Sequence, residues 1–299
     1  MSPQSSTDLG SAFDPFAPFE WRLAHGRSLT LGPAGLLMAI VNATPDSFSD
    51  GGLFNDPQAA VDQALRCFEA GAAILDIGGE STRPDAAPVS AAEEQDRVLP
   101  VIEALAKASD AVLSVDTYRA GTARLAVAAG AHIVNDVHGL QREPDIAEVA
   151  ASTGAGLCIM HTGRDRQKRA DVIEDQFAFL ERSLQIARTA GIADSRIVLD
   201  PGFGFAKDTA ENLALMARFG ELLGFRRPWL IGTSRKRFLG AVSGREAAER
   251  DVATAATTAI LRLAGAAVFR VHDVAINRDA LAVADAMVAT KRKTTGQLP

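Results

Sequence analysis

Cysteine is scarce in this sequence of 299 residues, which contains two, Cys67 and Cys158. They form no CxxC pair, and each lies in an apolar, periodic segment, so we expect neither a disulfide framework nor a zinc site. Residues 1–10 lack both the basic start and the apolar stretch of a secretory signal. We therefore expect a cytoplasmic protein in a reducing compartment.

Long apolar runs and an excess of positive charge are also missing. No uncharged apolar run reaches the roughly 18 residues that a membrane span needs, so we expect no membrane partner. The formal net charge is −6, so we expect no nucleic-acid partner, and any site for an anion must be local.

The sequence does contain a regular alternation of short apolar runs and amphipathic helical stretches. The apolar runs are 36–41, 73–77, 111–115, 132–134, 156–160, 196–199, 229–231 and 267–271. The helical stretches that follow them are 57–70, 91–108, 119–129, 144–152, 172–190, 209–219, 249–263 and 274–290. Glycine closes five of these stretches, at positions 71, 130, 154, 191 and 265, and it readily adopts the left-handed conformation that ends a helix.

Eight strand–helix units in succession predict an α/β fold, a closed (β/α)8 TIM barrel. An open, doubly wound sheet is the alternative, but the glycine-rich fingerprint that follows its first strand is missing. We assign residues 21–299 to the barrel domain, and within it residues 21–31 are predicted to form a short hairpin that caps one barrel end. Residues 1–20 are predicted to be a flexible N-terminal arm.

Polar side chains lie at the end of every predicted strand, where a barrel of this kind forms its active site. They are Asn42, Asp76, Asp116, Asn135 with Asp136, His161, Asp200, Ser234 with Lys236, and Arg270 with His272. Any one of them can be the N-cap of the following helix, because Asp and Asn are common caps. Capping alone does not explain polar residues at all eight ends.

Two of these groups suit an anionic ligand. Arg270 and His272 are two residues apart on a strand and therefore share a face, where a cation beside an imidazole favours a phosphate. The alternative is a structural ion pair between Arg270 and a neighbouring Asp. The segment 234–236 opens a helix after Gly232, where backbone N–H groups favour anions. The alternatives are a solvated basic turn, or a Lys236 that donates to a ring carbonyl or ring nitrogen.

A third group suits a heterocycle. Asp116, Asn135 and Asp200 can pair with the donor and acceptor edge of a polar ring. The alternative is a water-linked polar network in the barrel core. The two glycine-rich loops after the first two strands have the composition of loops that close over a substrate, although ordinary surface variability is also compatible with them.

Taken together, these segments closely resemble the dihydropteroate synthase family of folate biosynthesis. The matching stretches are NATPDSFSDGG at 42–52, DIGGESTRP at 76–84, SVDT at 114–117, ND at 135–136, MH at 160–161, DPGFGF at 200–205, SRK at 234–236 and RVHD at 270–273. They follow the family's order over about residues 35–290. The combination is highly specific, whereas DPGFGF or SRK alone is not.

The resemblance implies a transferase that joins p-aminobenzoate to 6-hydroxymethyl-7,8-dihydropterin diphosphate, with Mg²⁺ as cofactor and a homodimer as the assembly. By motif position it implies that Asp116, Asn135, Asp200 and Lys236 hold the pterin, and that Thr82, Arg270 and His272 bind the diphosphate. It implies that Asn42 ligates Mg²⁺, and that Phe48, Arg83, Pro84, Phe205 and Ser234 frame the p-aminobenzoate pocket. Asp116, Lys236, Arg270 and His272 would carry the catalysis. The intact loops around Phe48 and Pro84 predict competition by sulfonamides.

The chemistry agrees with this assignment. The leaving pyrophosphate is highly charged, so Mg²⁺, Arg270 and His272 can stabilise it as the C–O bond breaks. An arylamine is neutral at pH 7 and needs no strong base, so positioning should matter more than proton transfer.

One segment departs from the family's pattern. After His161 the family often continues with Met-Gln-Gly, whereas residues 162–169 of this chain read TGRDRQKR. We therefore expect the details of this basic loop to differ.

Two other functions remain as alternatives. A methyltetrahydrofolate-dependent corrinoid methyltransferase would share the Asp–Asn–Asp set, but it does not need the STRP, SRK and RVHD segments. A non-catalytic pterin-binding paralogue would be expected to have lost Arg83, Lys236, Arg270 or His272, and all four are present.

Overall fold

The computed structural model describes residues 13–44, 57–81 and 88–295. Eight parallel strands in these ranges form one sheet: β3 (Leu36–Asn42), β4 (Ile74–Gly78), β5 (Val112–Asp116), β6 (Ile133–Asp136), β7 (Gly156–Met160), β8 (Ile197–Asp200), β9 (Leu230–Ile231) and β10 (Val268–Val271). The strands follow chain order around the sheet, and β10 pairs with β3. A parallel bridge between Leu199 and Trp229 joins β8 to β9. The predicted TIM barrel is confirmed.

Helices alternate with these strands. They are α1 (Pro57–Glu69), α2 (Ala91–Ala108), α3 (Ala120–Ala129), α4 (Asp145–Thr153), α5 (Val172–Thr189), α6 (Thr209–Ala217), α7 (Arg237–Ser243), α8 (Asp251–Leu263) and α9 (Val274–Thr294). The short α7 is the helix predicted to open after Gly232. None of the helices described is both long enough and apolar enough to cross a membrane.

Local signals explain where several helices begin and end. Ser90 and Glu93 form a capping box at α2, and Asp208 and Glu211 form one at α6. The five glycines predicted to close helices all have positive φ, at positions 71, 130, 154, 191 and 265. The predicted end of α6 was too late, because residues Phe219–Phe225 continue the apolar pattern as a 3-10 helix.

The N-terminal end of the barrel is closed by apolar side chains. Two antiparallel strands, β1 (Phe19–Arg22) and β2 (Ser28–Leu31), form the predicted hairpin. Trp21 is fully buried, packs with the inner residues of the barrel strands, and donates from Nε1 to the carbonyl of Arg196 at 2.9 Å. The hairpin with Trp21 therefore forms an apolar plug at the N-terminal end of the barrel. The polar strand-end residues lie at the opposite, C-terminal end.

The predicted N-terminal arm lies partly outside the described residues. Of its described part, Asp14 makes an ion pair of 2.6 Å with Arg292, and Phe16 lies under the guanidinium of Arg262 at 5.0 Å from ring centroid to carbon. Strand β1 begins at Phe19. The arm's flexibility stays a prediction.

Candidate active site

The described site residues gather at the C-terminal end of the barrel. These residues are Asn42, Asp116, Asn135, Asp200, Phe205, Ser234, Lys236, Arg270 and His272. The remaining four predicted residues, Phe48, Thr82, Arg83 and Pro84, lie outside the described residues. The described residues therefore include all four residues predicted to hold the pterin, two of the three predicted to bind the diphosphate, and two of the five predicted for p-aminobenzoate.

Arg270 connects two buried carboxylates on neighbouring strands. Its Nε donates to Asp76 Oδ2 at 2.6 Å, and its Nη2 donates to Asp116 Oδ2 at 2.7 Å. Burial lowers the pKa of Arg270, but the two carboxylates outweigh that effect and raise it above its usual range. Burial raises the pKa of Asp116, against the opposing charge of Arg270. The ion pair considered from the sequence therefore exists, and it lies within the polar rim.

Asp76 is the hub of this group. Besides Arg270, its Oδ2 accepts a hydrogen bond from Asn135 Nδ2 at 3.1 Å. Its other oxygen, Oδ1, is buried with no hydrogen-bond partner within the described ranges. An unsatisfied buried carboxylate oxygen is costly, which makes it an acceptor available to a polar ligand.

Asp200 and Lys236 form a second group, in which the charges influence each other without a direct ion pair between these two residues. Asp200 ends β8, and its Oδ1 accepts from the amide of Gly202 at 2.7 Å. The amine of Lys236 donates to the carbonyl of Phe203 and lies 4.5 Å from the centroid of the Phe205 ring. Burial lowers the pKa of Lys236 to about 7, although the charge of Asp200 opposes the shift. Burial raises the pKa of Asp200, and Lys236 opposes that shift in turn.

Ser234 and His272 form a third group, on the loop after β9 and the end of β10. The Ser234 hydroxyl lies 2.8 Å from His272 Nδ1 and accepts from the backbone N–H of His272 at 3.1 Å. Both contacts are satisfied when the hydroxyl donates to Nδ1, which places the proton of a neutral imidazole on Nε2. Ser234, which is predicted to bind p-aminobenzoate, thus directly orients His272, which is predicted to bind the diphosphate.

Helix capping, the alternative role for strand-end acids, applies within the described residues to Asp273, which is the N-cap of α9. Asp136 instead accepts from the amides of His138 and Leu140 at 2.8 and 2.6 Å, which holds the turn after β6. Asp200 likewise accepts from a backbone amide, whereas Asp76 and Asp116 have no such backbone contact in the described residues.

Asn42 is the predicted metal ligand. It ends β3 at the rim, half-buried, and pairs in register with Gly78 of β4. Within the described ranges, no group of three or more His, Cys, Asp or Glu is arranged to hold a metal. One amide oxygen fits Mg²⁺, which takes few protein ligands when phosphate oxygens and water complete its shell.

Two residues that shape the site were not assigned by sequence reasoning. Asp76 was noted at a strand end without a role, although it opens the DIGGESTRP segment. Lys207 was not singled out; it is buried behind Asp200 and is the sole basic residue in the segment 201–208. A lone lysine in a glycine-rich loop after a strand-end acid is the signal that could have identified it.

The C-terminal end of the barrel therefore combines buried carboxylates with basic side chains close to them. Carboxylate and amide oxygens can accept from the N–H edge of a flat polar ring, and Arg270 and His272 lie where an anionic group attached to that ring can be bound.

Comparison with known proteins agrees with this geometry. Residues 38–272 match the family described as pterin binding enzyme. The chain belongs to this family. It is 43% identical over 274 residues to the dihydropteroate synthase of Escherichia coli K12, a match that covers 90% of this chain and 96% of the relative.

Solved structures show the same relationship. The dihydropteroate synthase of Xanthomonas albilineans with 4-aminobenzoic acid superposes with a TM-score of 0.85 at 43% identity, covering 90% of this chain and 99% of that one. The Yersinia pestis dihydropteroate synthase in complex with a sulfonamide drug has a TM-score of 0.82 at 42% identity, covering 89% and 98%. The activity predicted from the motifs is confirmed: the chain is a transferase of the dihydropteroate synthase type, which acts in folate biosynthesis.

Proposed function

We propose that the rim joins p-aminobenzoate to 6-hydroxymethyl-7,8-dihydropterin diphosphate through three adjoining subsites. In this reaction the bond between the pterin methylene carbon and the diphosphate oxygen breaks, and its electron pair leaves with pyrophosphate. The amine nitrogen of p-aminobenzoate then bonds to that carbon and loses a proton, which gives 7,8-dihydropteroate.

The pterin subsite is formed by Asp116, Asn135, Asp200 and Lys236. The two acids end β5 and β8, which have two strands between them around the barrel, so a planar ring between the acids can donate to both. Asp76 Oδ1, which has no partner among the described residues, supports this role, because a bound polar ring can bring it a donor directly or through water. The carboxylate of Asp116 also opposes the positive charge that develops on the methylene carbon.

The diphosphate subsite is formed by Arg270 and His272, together with Thr82. Arg270 keeps its charge at all relevant pH values, so it can balance the charge of the leaving group. Mg²⁺ held by Asn42 would supply additional positive charge to the diphosphate oxygens.

The p-aminobenzoate subsite is formed by Phe205 and Ser234, with Phe48, Arg83 and Pro84 from the loops after β3 and β4. The Phe205 ring is buried, and Lys236 and Arg164 both lie over it, at 4.5 and 4.6 Å from the centroid. Two cations beside an aromatic face suit a substrate that is itself an aromatic carboxylate.

The observation that carries this proposal is the convergence of Asp76, Asp116 and Arg270 from three strands at the barrel mouth. The test is pyrophosphate release from the dihydropterin diphosphate, measured with and without p-aminobenzoate and Mg²⁺. Release that requires both supports the assignment. Pyrophosphate release that does not depend on p-aminobenzoate, or no release under any condition, would contradict it.

We also propose a homodimer, built on an apolar face shared by α8 and α9. The exposed apolar side chains of this face are Val252, Ile260 and Leu263 of α8 and Ile276, Val283 and Met287 of α9. The helices lie side by side, with Thr258 hydrogen-bonded to Asn277 at 2.7 Å. Positions 276, 283 and 287 fall on one side of a helix with 3.6 residues per turn. Exposed apolar side chains on two neighbouring helices suit an isologous contact with a second copy.

Light scattering on purified protein tests the dimer. We expect the wild type to have the mass of a dimer, and Val283→Glu to have the mass of a monomer because it places a charge in the apolar contact. Leu125→Glu is the control, because Leu125 is an exposed apolar residue on α3, away from this face. A monomeric wild type at micromolar concentration would overturn the proposal.

We place the enzyme in the cytoplasm. Cys67 and Cys158 are both unpaired thiols, which suits a reducing compartment. Cell fractionation with antibody detection tests this location, and recovery of the protein outside the cytoplasmic fraction would contradict it.

A further inference from the structure

The loop that follows Asp200 is held in place by two amines. One is the amine of Lys236, a predicted site residue, which donates to the carbonyl of Phe203. Lys207, at the far end of the loop, extends back beneath it, and its Nζ donates to the carbonyl of Gly202 at 2.8 Å. Lys207 is 9% exposed, so its side chain faces the protein interior.

Gly202 links Lys207 to the pterin subsite. The amide N–H of Gly202 donates to Asp200 Oδ1 at 2.7 Å, while its carbonyl accepts from Lys207. Gly202 has φ of 65°, and a Cβ at this position would lie 1.8 Å from the carbonyl oxygen of His161. This close packing means that the turn has little freedom, so the placement of the Gly202 peptide and that of the Asp200 carboxylate are connected.

His161 orients the Lys207 amine from behind. Lys207 Nζ lies 2.9 Å from His161 Nδ1, and His161 Nε2 lies 3.0 Å from Asp175 Oδ2. The Asp175 carboxylate can only accept, so the imidazole proton is on Nε2 and Nδ1 accepts from the Lys207 amine. Arg166 Nη2 also lies 2.9 Å from Nε2, and it donates to the same Asp175 oxygen. Burial lowers the pKa of His161 to about 3, in agreement with a neutral ring.

Asp175 anchors this chain of hydrogen bonds. It also accepts from Arg166 at 2.9 and 2.6 Å and from the backbone N–H of Arg169 at 2.8 Å. Burial raises the pKa of Asp175, but the hydrogen bonds from His161 and Arg166 outweigh that effect and hold it well below its usual range. Asp175 is therefore a fixed negative charge from which His161 and then Lys207 are oriented.

We propose that Lys207 is a positioning residue of the pterin subsite, which acts through the Gly202 peptide to place Asp200 and is itself oriented by His161 and Asp175. Its amine lies behind Asp200 and does not need to touch substrate. The proposal rests on the proposed function, because it assigns to Asp200 the role of binding the pterin. It implies that loss of the Lys207 amine weakens binding of the pterin substrate and leaves binding of p-aminobenzoate nearly unchanged.

The chain offers a matched control. Lys168 Nζ donates at 2.8 Å to the carbonyl of Ala206, in the same loop, and makes an ion pair with Glu211 at 2.5 Å. Removing the Lys168 amine therefore takes a lysine hydrogen bond away from this loop without changing Gly202 or Asp200.

Steady-state kinetics with varied dihydropterin diphosphate and varied p-aminobenzoate test the proposal. We expect Lys207→Met to raise the KM for the pterin substrate about tenfold or more. The KM for p-aminobenzoate should change by no more than about twofold in Lys207→Met, and Lys168→Met should change neither KM by more than about twofold. An unchanged pterin KM in folded Lys207→Met, or an equal rise in both KM values, would overturn the proposal.

A second pair of variants keeps the test decisive if Lys207→Met does not fold. In His161→Asn the amide oxygen can still accept from Lys207, whereas in His161→Ala it cannot. We expect the pterin KM to rise in His161→Ala and to be largely rescued in His161→Asn, whereas equal values would contradict the proposal. Wild-type protein that releases no pyrophosphate would instead reject the proposed function, so the two failures are distinguishable.

Discussion

The two ends of the barrel differ in how their side chains are satisfied. At the N-terminal end, Trp21 is fully buried among apolar side chains, and its single polar atom has a backbone acceptor. At the C-terminal end, Asp76 is equally buried but has an oxygen with no partner among the described residues, and the pKa values of Lys207 and Lys236 are lowered to about 7, chiefly by burial. The N-terminal end therefore favours stability, and the C-terminal end keeps an unsatisfied carboxylate oxygen where we propose that a ligand binds.

Asp116→Ala should have the largest effect. The substitution removes the carboxylate that we propose accepts from the pterin and opposes its developing charge, so we expect kcat/KM to fall about 1,000-fold. Arg270 keeps Asp76 as a partner, so the fold should remain intact by circular dichroism. Near-normal activity would remove Asp116 from the catalytic role and weaken the contrast between the two ends.

Trp21→Ala tests the opposite end. Loss of a fully buried Trp should lower the free energy of unfolding by about 3–5 kcal/mol, measured by denaturant titration. Because Trp21 lies at the far end of the barrel, both KM values and kcat should stay near wild type at temperatures where the variant is folded. A selective rise in one KM would show that the plug also shapes the site.

Lys236→Ala should reduce kcat/KM about 100-fold, with little loss of stability. The side chain is half-buried and its amine donates to the carbonyl of Phe203, so the variant loses a hydrogen bond and a charge beside Asp200. The melting temperatures of variant and wild type show whether the loss of activity is accompanied by a loss of stability. Activity near the wild-type value would exclude Lys236 from the site.

The pKa of Lys236 makes a further prediction about pH. Burial lowers this pKa to about 7, so the amine is charged below that pH and loses its charge as pH rises through it. We expect wild-type kcat/KM to decline above about pH 7, and we expect Lys236→Arg, whose guanidinium stays charged, to be less active but to lack that decline. Profiles of identical shape would assign the pH dependence to another group.

Competition between a sulfonamide and p-aminobenzoate should give the smallest of these effects, a shift in the apparent affinity of the enzyme for the drug. The loops around Phe48 and Pro84 match the sensitive pattern, so the drug should compete with p-aminobenzoate at the C-terminal end. Raising p-aminobenzoate about tenfold above its KM should weaken inhibition about tenfold. Inhibition that does not depend on p-aminobenzoate concentration would argue against a shared pocket.

Much of this architecture is readable from local patterns. The spacing of apolar residues predicts all eight barrel strands and the described helices other than the short α7, because a strand and a helix each bury one periodic face. Glycines at positions such as 130 and 154 indicate helix ends for an equally local reason, since their backbone must adopt positive φ. The motifs at strand ends likewise predict which residues belong to the active site.

The contacts among those residues could not be read in the same way. Arg270 reaches Asp76 across 194 positions of sequence, and Trp21 reaches the carbonyl of Arg196 across 175. Asp175 carries no motif of its own, and the connection of Lys207 and Asp175 to Asp200 exists only because the strands converge at the barrel mouth. The amino-acid order thus specified the barrel and its polar rim, since those follow from local periodicity. Barrel closure alone decided which charges meet, how deeply they are buried and therefore how their pKa values shift.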